Sequence, residues 1–400
     1  MSLIHNPSIV TNGLIMYYDM NNTLKSFKGG PTTNVLTNTN LDTGWSQGYN
    51  TSIIIGDTSV GFPPGVNSQV VSFIDANADG FGYWYSYGDY APQADNTTYS
   101  VSVWAMTSGA NWVIQPYTAD NSEANRVWLT AKTVIGNGVW QRLEWPNAFT
   151  TGSGWDSDSL SFQFNSIAAG QRCWLCAPQM EPLSYCTPFV EGTRSSTQAI
   201  VDLTGRNTIT ATSLTYNSDG SFSFANSTDV IDIPSTSLFN LTSVNFSIEM
   251  WLYINTSVDT SGVYHGLIEI GSSGSTFLLG IWRSGLFPGC LYNTFGGATM
   301  FGTDGSGGYS GANYKLSGKW THVVFTRNGS TSYFYLNGNL WASRGTPSIP
   351  NTSNNLKIGY SPSAGNFPGI IPVFRFYNSR ALSDTEVQQN FNAHRGRYGL

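Results

Sequence analysis

The feature that most constrains the fold is the alternation of polar and apolar residues in short runs along almost the whole chain. It is clear in "TYSVSVWAM" (residues 98–106) and in "NFSIEMWLYI" (residues 245–254). Side chains of a β-strand alternate between its two faces, so such runs predict strands with one buried face. Turn residues, mainly Gly, Asn, Ser and Pro, separate the runs, as is typical of sandwiches and jelly rolls. The sequence therefore predicts an all-β protein.

Residues 319–345 give the strongest local turn signals. The segment "KWTHVVFTRNGSTSYFYLNGNLWASRG" contains two Asn-Gly dipeptides between runs of strand-forming residues. Asn-Gly favours the positive φ angles of tight hairpin turns. We therefore expect two or three antiparallel strands here.

One short helix is expected near the C-terminus, in "ALSDTEVQQNFNAHRG". Ser383 and Glu386 have the spacing of a capping box, and Leu382 and Val387 occupy the hydrophobic-staple positions. Gly396 is expected to end the helix, since glycine is the usual residue just past a helix C-terminus.

The composition excludes several classes of protein. Only 10% of the 400 residues are charged, against about 25% in an ordinary globular chain. The 13 Trp, 21 Tyr and 22 Phe residues exclude a disordered chain. A net charge of −6 without a basic run argues against a nucleic-acid partner. No apolar run approaches the ~20 residues that a membrane-spanning helix needs, so no membrane insertion is expected.

Two groups of motifs resemble known families. "FSIEMWLYI", "WTHVVFTRNG", "YFYLNG" and "FRFYNSRALSDTEVQQNFN" resemble the concanavalin A-like, laminin-G-like sandwiches of bacteriophage virion proteins, over residues 199–398. The middle of the chain, closing in "CAPQMEPLSYCTPFVEGTRSS", resembles the carbohydrate-binding jelly rolls of phage tail and head appendages. The resemblance implies two β-sandwich or jelly-roll domains and one short C-terminal helix.

The order of the motifs implies an insertion. In the phage sandwiches, a first strand like "NGLIMYYDMNN" is soon followed by a turn like "DLTGRN", but here that turn (residues 202–207) comes about 180 residues late. Insertions succeed at exposed turns whose ends lie close together. We therefore expect residues 1–30 and 194–400 to form one discontinuous sandwich, interrupted by a jelly roll at 31–193. Residues 13–19 should then pair in a sheet of the sandwich.

The four cysteines are Cys173, Cys176, Cys186 and Cys290. Residues three apart in a strand point to opposite faces, so Cys173 and Cys176 should not share a metal ion. Buried free thiols are expected, and a disulfide between Cys176 and Cys186 is the alternative.

The segment "DANADGF" (residues 75–81) is the candidate metal site. Asp75, Asn77 and Asp79 stand at alternate positions before a glycine, as at the start of a calcium loop. Ser86 takes the position of the bidentate glutamate. A turn rich in Asn and Asp is the favoured interpretation, and a structural calcium ion is the alternative; no other cofactor is expected.

The segment "FGYWYSYGDY" (residues 81–90) is the candidate ligand site. In a strand, Phe81, Tyr83, Tyr85 and Tyr87 share one face and Trp84 lies on the other, so Trp84 is the best exposed candidate if the first face is core. Aromatic rings beside Asn, Asp and Gln suit sugar binding, although an aromatic stripe at strand spacing is more often core. The weaker candidates are Trp112, Tyr117 and Trp128.

No catalytic residues are predicted. Sandwich glycosidases carry paired acids on one strand as Glu-x-Asp-x-x-Glu, and this pattern does not occur in the sequence. Glu249 and Glu269 stand alone on apolar strands, whereas a retaining glycosidase needs two carboxyl groups about 5 Å apart.

The resemblance implies a non-enzymatic virion structural protein of a tailed phage, either a capsid decoration protein or a tail accessory or fibre protein. It would be assembled in the host cytoplasm and would display a glycan-binding module on the virion surface for host attachment. Its partners would be other virion proteins and host surface glycans, and a homo-oligomer is left open. The alternatives are a soluble glycan-binding lectin without virion attachment and a polysaccharide depolymerase.

Overall fold

The computed structural model describes most of the chain. The described residues are 8–37, 39, 41, 45–47, 51–66, 72–76, 80–86, 94–107, 109–120, 126–155, 157–167, 169–217, 221–235, 237–242, 245–257, 265–271, 277–281, 291–295, 298–301, 316–345, 355–362 and 365–400. Only the backbone is described for strand residues 46–47, 53, 72–75, 80–81, 83–86, 120, 157–159, 166–167, 291–295 and 298–301.

The chain divides into two compact units. One consists of residues 1–29 and 196–400, and the other of residues 30–195. We call them the sandwich and the insert. The boundaries expected from the sequence, 1–30 with 194–400 and 31–193, differ from these by one or two residues.

The first strand, β1 (Leu14–Asp19), belongs to the sandwich, and the insert follows it along the chain. The strands of the insert are β2 (Thr32–Thr33), β3 (Trp45–Gln47), β4 (Thr51–Ile55), β5 (Ser72–Ala76), β6 (Gly80–Ser86), β7 (Thr98–Thr107), β8 (Trp112–Asp120), β9 (Val127–Trp128), β10 (Lys132–Val134), β11 (Gln141–Thr150), β12 (Ser157–Ile167), β13 (Arg172–Glu181) and β14 (Thr193–Arg194). Two sheets, β10-β8-β12-β6-β3 and β11-β7-β13-β5-β4, enclose an apolar core, and β9 pairs with β8.

The sandwich resumes with a single helical turn, α1 (Ser196–Ala199), which the sequence did not predict. Its further elements are β15 (Thr210–Thr212), β16 (Thr215–Tyr216), β17 (Phe222–Ser223), β18 (Val230–Ile233), β19 (Phe246–Ile254), β20 (His265–Ile270), β21 (Phe277–Ile281), β22 (Leu291–Phe295), β23 (Ala298–Phe301), β24 (Trp320–Asn328), β25 (Thr331–Leu336), β26 (Asn339–Gly345), β27 (Leu356–Ile358), β28 (Tyr360–Ser361), β29 (Gly365–Asn366), β30 (Gly369–Asn378) and the helix α2 (Asp384–His394). The all-β fold with a short C-terminal helix is confirmed.

Two large sheets form the sandwich. One has the order β1-β30-β19-β24-β25-β26, and the other β15-β18-β27-β20-β21-β22-β23. Alternate residues of β19, namely Ile248, Met250 and Leu252, are fully buried in the core of this unit. On the opposite face of the first sheet, α2 packs Val387 and Phe391 against sheet residues. We call that sheet the helix-covered sheet.

The strand β1 finds its partner at the far end of the chain. It pairs antiparallel with β30 at the edge of the helix-covered sheet, so the predicted pairing of residues 13–19 in the sandwich is confirmed. The "DLTGRN" turn protects this edge: Asp202 accepts the Tyr17 N–H at 2.9 Å, and Asn207 donates to the Ile15 carbonyl at 2.8 Å. An edge strand has unpaired backbone groups, which this turn satisfies.

The predicted hairpins and the predicted helix start are confirmed. At Asn337 and Gly338, φ is 48° and 79°, the positive values of a two-residue hairpin turn. The Ser383 hydroxyl accepts the Glu386 N–H, and the Glu386 carboxylate accepts the Ser383 N–H. The prediction that Gly396 ends the helix is wrong: α2 ends at His394, a 3₁₀ turn (Arg395–Tyr398) follows, and Gly399 takes the left-handed conformation with φ of 72°.

Three of the cysteines lie within the described residues and are free thiols, so Cys176 and Cys186 are not bridged. Cys173 packs in the core of the insert, whereas Cys176 packs in a separate cluster on the other face of the same sheet, as the strand geometry predicted. Burial raises the pKa of Cys176 to about 12, so the thiol is protonated and unreactive at neutral pH. Cys290 lies outside the described residues.

Candidate functional site

The predicted aromatic stripe lies on β6, an interior strand of the insert. Residues 81–85 pair in register with β12. The side chains of Tyr83, Trp84 and Tyr85 lie outside the described residues, and so does all of Tyr87. Their part in ligand binding stays a prediction.

The candidate calcium ligands are divided between a strand and residues that are not described. Asp75 lies in β5, paired in register with Arg172 and Ser52, and Asn77 and Asp79 lie outside the described residues. Within the described ranges, no three His, Cys, Asp or Glu side chains are grouped so that they could hold a metal ion. Calcium binding stays a prediction.

Trp112 is part of the core of the insert. Its side chain is fully buried, and its ring meets Phe164 edge-on with the centroids 5.6 Å apart. A ring without exposed surface offers no face to a sugar. Trp112 is therefore excluded as a ligand-binding residue.

Tyr117 and Trp128 form an aromatic pair on the outer face of the insert. Tyr117 of β8 is directly opposite Trp128 of β9, and their ring centroids are 4.4 Å apart. The Arg126 guanidinium lies 4.8 Å from the Tyr117 centroid and 5.9 Å from that of Trp128, within cation–π distance. Trp128 remains 43% exposed. This packing holds a large aromatic surface in contact with solvent.

A bulge in β11 opens a cleft beside Trp128. The register of β11 on β7 shifts between Trp145 and Phe149. Pro146 has no N–H to give to the ladder, and Asn147 has a φ of 46°, so the segment "WPNAF" cannot continue a regular strand. Bulges redirect side chains at sheet edges, and β11 is an edge strand.

The resulting space, which we call the insert cleft, has a volume of about 310 Å³, in the range of small-molecule sites (roughly 300–1,000 Å³). Its described lining includes Trp128, Lys132, Glu144, Trp145 and Asn147. The Lys132 ammonium lies 5.6 Å from the Trp145 ring centroid, and the Trp145 indole donates to the Thr130 carbonyl at 2.6 Å. The cleft thus combines aromatic rings with a cation, a carboxylate and an amide.

Lys132, Glu144 and Asn147 were missed in the sequence. Each is a single polar residue in or beside a strand, and such residues are common on any solvated sheet face. The available signal was the Pro-Asn dipeptide inside the strand-like run 141–150, because proline within a strand marks an edge or a bulge. The sequence does indicate Trp128 and Tyr117 as aromatic candidates.

The two isolated glutamates of the sandwich point away from its core on different sheets. Glu249 lies on β19 of the helix-covered sheet between the core residues Ile248 and Met250, and Glu269 lies on β20 of the opposite sheet between Ile268 and Ile270. Alternate residues of a strand face opposite sides. The two carboxyl groups therefore do not meet as a catalytic pair.

In the described part of the chain, no helix has the length and apolar character needed to cross a membrane.

One family model matches the chain. Residues 224–388 match the laminin-G-type model described as the "Concanavalin A-like lectin/glucanases superfamily". These residues include most of the strands of the sandwich and the start of α2. The chain therefore contains a concanavalin A-like, laminin-G-like domain, as the sequence motifs indicated. No curated protein sequence matches the chain.

Among solved structures, the chain is similar to the botulinum neurotoxin serotype D binding domain, with 18% identity, a TM-score of 0.38 and coverage of 50% of each chain. The binding domain of botulinum neurotoxin DC in complex with rat synaptotagmin II is 17% identical, with a TM-score of 0.38 and coverage of 50% of each chain. The serotype D ligand binding domain in complex with N-acetylneuraminic acid is 16% identical, with a TM-score of 0.37. The match covers 50% of this chain and 49% of that structure. The chain spans about half the length of these structures.

Proposed function

We propose that this protein binds glycans on a bacterial surface through the insert cleft, and that it does so without catalysing a reaction. The observation that carries this proposal is the Trp128 ring, 43% exposed and packed against Tyr117. An exposed indole is costly to leave in water, and its flat face fits the C–H face of a sugar ring.

The polar groups of the cleft suit the rest of a sugar. Lys132 offers hydrogen-bond donors, Glu144 offers acceptors, and the Asn147 amide offers both. Hydroxyl groups of a sugar both donate and accept, so this mixed set satisfies them at fixed positions. A few placed polar groups beside apolar walls are the usual design of a small-ligand site.

The carboxylate in the cleft is placed for binding. Glu144 is ion-paired with Arg142 at 2.6 Å, and no second carboxylate belongs to the described lining of the cleft. Glycoside hydrolysis needs two carboxyl groups, one as acid and one as base or nucleophile. These contacts favour a lectin over a depolymerase.

The setting that we propose is the surface of a tailed phage particle. The resemblance of the sequence motifs to phage sandwiches supports a structural protein attached to other virion proteins. In this arrangement the insert contacts host glycans, and the protein acts as a capsid decoration or tail accessory component.

Binding of the full chain to an array of bacterial capsular and lipopolysaccharide glycans tests the ligand proposal. Trp128→Ala should weaken binding about fivefold, because loss of one stacking contact costs roughly 1 kcal/mol. Phe62→Ala is the matched control, since Phe62 is 52% exposed on the same unit and does not line the cleft. Equal effects of the two variants would contradict the proposed site.

Two further measurements test the rest of the proposal. Reducing ends should not appear when the bound glycan is incubated with the protein; release that Glu144→Gln abolishes would show a depolymerase instead. Antibody labelling of intact particles in electron micrographs should place the protein on the virion surface. Protein found only in the soluble fraction of a lysate would favour a free lectin.

A further inference from the structure

A second cavity lies in the sandwich, at the end of β1. Its volume is about 430 Å³, and its described lining includes Asn21, Thr23, Trp320, Arg397 and Tyr398. We call it the sandwich cavity. It has no residue in common with the insert cleft.

One wall of the sandwich cavity is aromatic. The Tyr398 ring stacks on Trp251 with centroids 4.3 Å apart and planes at 21°, and it lies 4.8 Å from the Trp320 ring. Trp251 is fully buried beneath them, whereas Trp320 and Tyr398 keep partly exposed surface. The 3₁₀ turn that follows α2 brings Tyr398 to this position. The wall is therefore a packed platform with one side open to the cavity.

A guanidinium with a fixed orientation lies beside this platform. Arg397 donates to Asp19 at 2.7 Å, and Tyr17 donates to the same carboxylate oxygen at 3.1 Å. The Asp19 side chain is only 3% exposed, whereas that of Arg397 is 41% exposed. The Asp19 carboxylate is thus buried, whereas the Arg397 guanidinium lines the cavity.

The charge around the cavity favours an anionic group. No carboxylate belongs to its described lining. An arginine fork can bind one carboxylate and still present donors to another. Asp19 fixes one side of the guanidinium and so reduces the entropy that a ligand must remove.

We propose that the sandwich cavity is a second glycan-binding site, selective for an acidic sugar. The sugar carboxylate binds Arg397, and the ring packs on Trp320, while Asn21 and Thr23 meet the hydroxyl groups. This site lies in the other unit and shares no lining residue with the insert cleft.

Saturation-transfer NMR on the full chain, with methyl glucuronide and methyl glucoside as probes, tests this proposal. The two probes differ in the carboxylate, so the glucuronide should bind about tenfold more tightly. Arg397→Gln should remove this preference, because it abolishes the tighter binding of the glucuronide. Arg397→Lys should keep part of the preference, since it retains the charge without the fork. Trp320→Leu should weaken the binding of both probes.

Two controls separate this site from other sources of binding. Arg206→Gln removes an exposed cation that does not line the cavity, and it should leave the preference intact. Trp128→Ala with Lys132→Gln disables the insert cleft and should also leave it intact. Equal binding of the two probes, or loss of the preference in either control, would overturn the proposal.

Discussion

Each unit buries a glutamate on the outer face of one of its sheets, and the two are stabilised by different partners. Glu249 of the sandwich is fully buried, and Glu181 of the insert is 1% exposed. In a chain with so few charges, both positions require an explanation. An isolated buried carboxylate is very costly, so the partners decide whether the fold tolerates it.

Glu249 is held by an ion pair with Arg375 and by hydrogen bonds, under the cover of α2. Its carboxylate lies 2.5 Å from Arg375 and 3.0 Å from His322, and Asn390 of α2 donates to its second oxygen at 2.6 Å. Burial raises the pKa of Glu249, but the charge of Arg375 and the hydrogen bonds outweigh it and lower the pKa to about 2. The helix thus completes a network that the sheet alone leaves unfinished.

Glu181 is held by neutral donors that come from its own neighbourhood in sequence. It accepts from the Gln179 amide at 2.7 Å, from the Thr187 N–H at 2.7 Å and from the Thr187 hydroxyl at 2.8 Å. Gln179 lies two residues earlier in β13 itself, and Thr187 lies in the segment just after that strand. The comparison teaches that a long-range ion pair and a short-range hydrogen-bond network can both satisfy a buried carboxylate. Breaking the ion pair and breaking the hydrogen-bond network should, however, lower the free energy of unfolding by different amounts.

The largest difference in unfolding free energy between the two units is expected when each glutamate is replaced by glutamine. Glu249→Gln leaves the buried Arg375 without its counter-charge and should cost ~3–5 kcal/mol of unfolding free energy. Hydrogen exchange of β19 and β24 amides during urea titration measures this loss in the sandwich alone. Unchanged protection of these strands would show that Arg375 finds another partner.

Lowering the pH should reproduce part of the stability loss caused by Glu249→Gln. The folded-state pKa of Glu249 lies below its ordinary 4.5, so its stabilisation is complete above pH 4.5 and is lost as the pH falls toward 2. The difference in stability between wild type and Glu249→Gln should therefore shrink over this range. A constant difference between pH 6 and pH 2 would contradict the assigned ion pair.

A smaller effect is expected in the insert. Glu181→Gln keeps one acceptor but places an NH₂ group among donors, which should cost ~1–2 kcal/mol. Hydrogen exchange of β13 and β7 amides reports it. A loss as large as that of Glu249→Gln would remove the distinction between the two networks.

The smallest effect concerns the helix that covers Glu249. Ser383→Ala removes the cap of α2 and should cost ~1 kcal/mol, with faster exchange of α2 amides and little change in the insert. Ser343→Ala, at an exposed position of β26, is the control. Equal exchange in the two variants would mean that the cap does not stabilise α2.

The strands, the hairpin turns and the helix cap could be predicted because each depends on neighbouring residues. The Asn337-Gly338 turn and the Ser383 cap follow from local dihedral preferences and short hydrogen bonds. The candidate site was only partly predictable. The alternation in β8 shows that Trp112 and Tyr117 lie on opposite faces, but it does not show which face meets the core. The structure buries Trp112 and leaves Tyr117 against Trp128.

The sequence by itself determined the β class, the turns and the capped C-terminal helix of this protein, and its motif order indicated a discontinuous sandwich. Tertiary structure alone decided that Arg375 and Asn390 meet at Glu249, that the bulge at Pro146 opens the insert cleft, and that Arg397 is fixed by Asp19, 378 residues away in the chain. The physical reason is that these contacts join distant segments, whose approach depends on how whole sheets pack and not on local backbone preference.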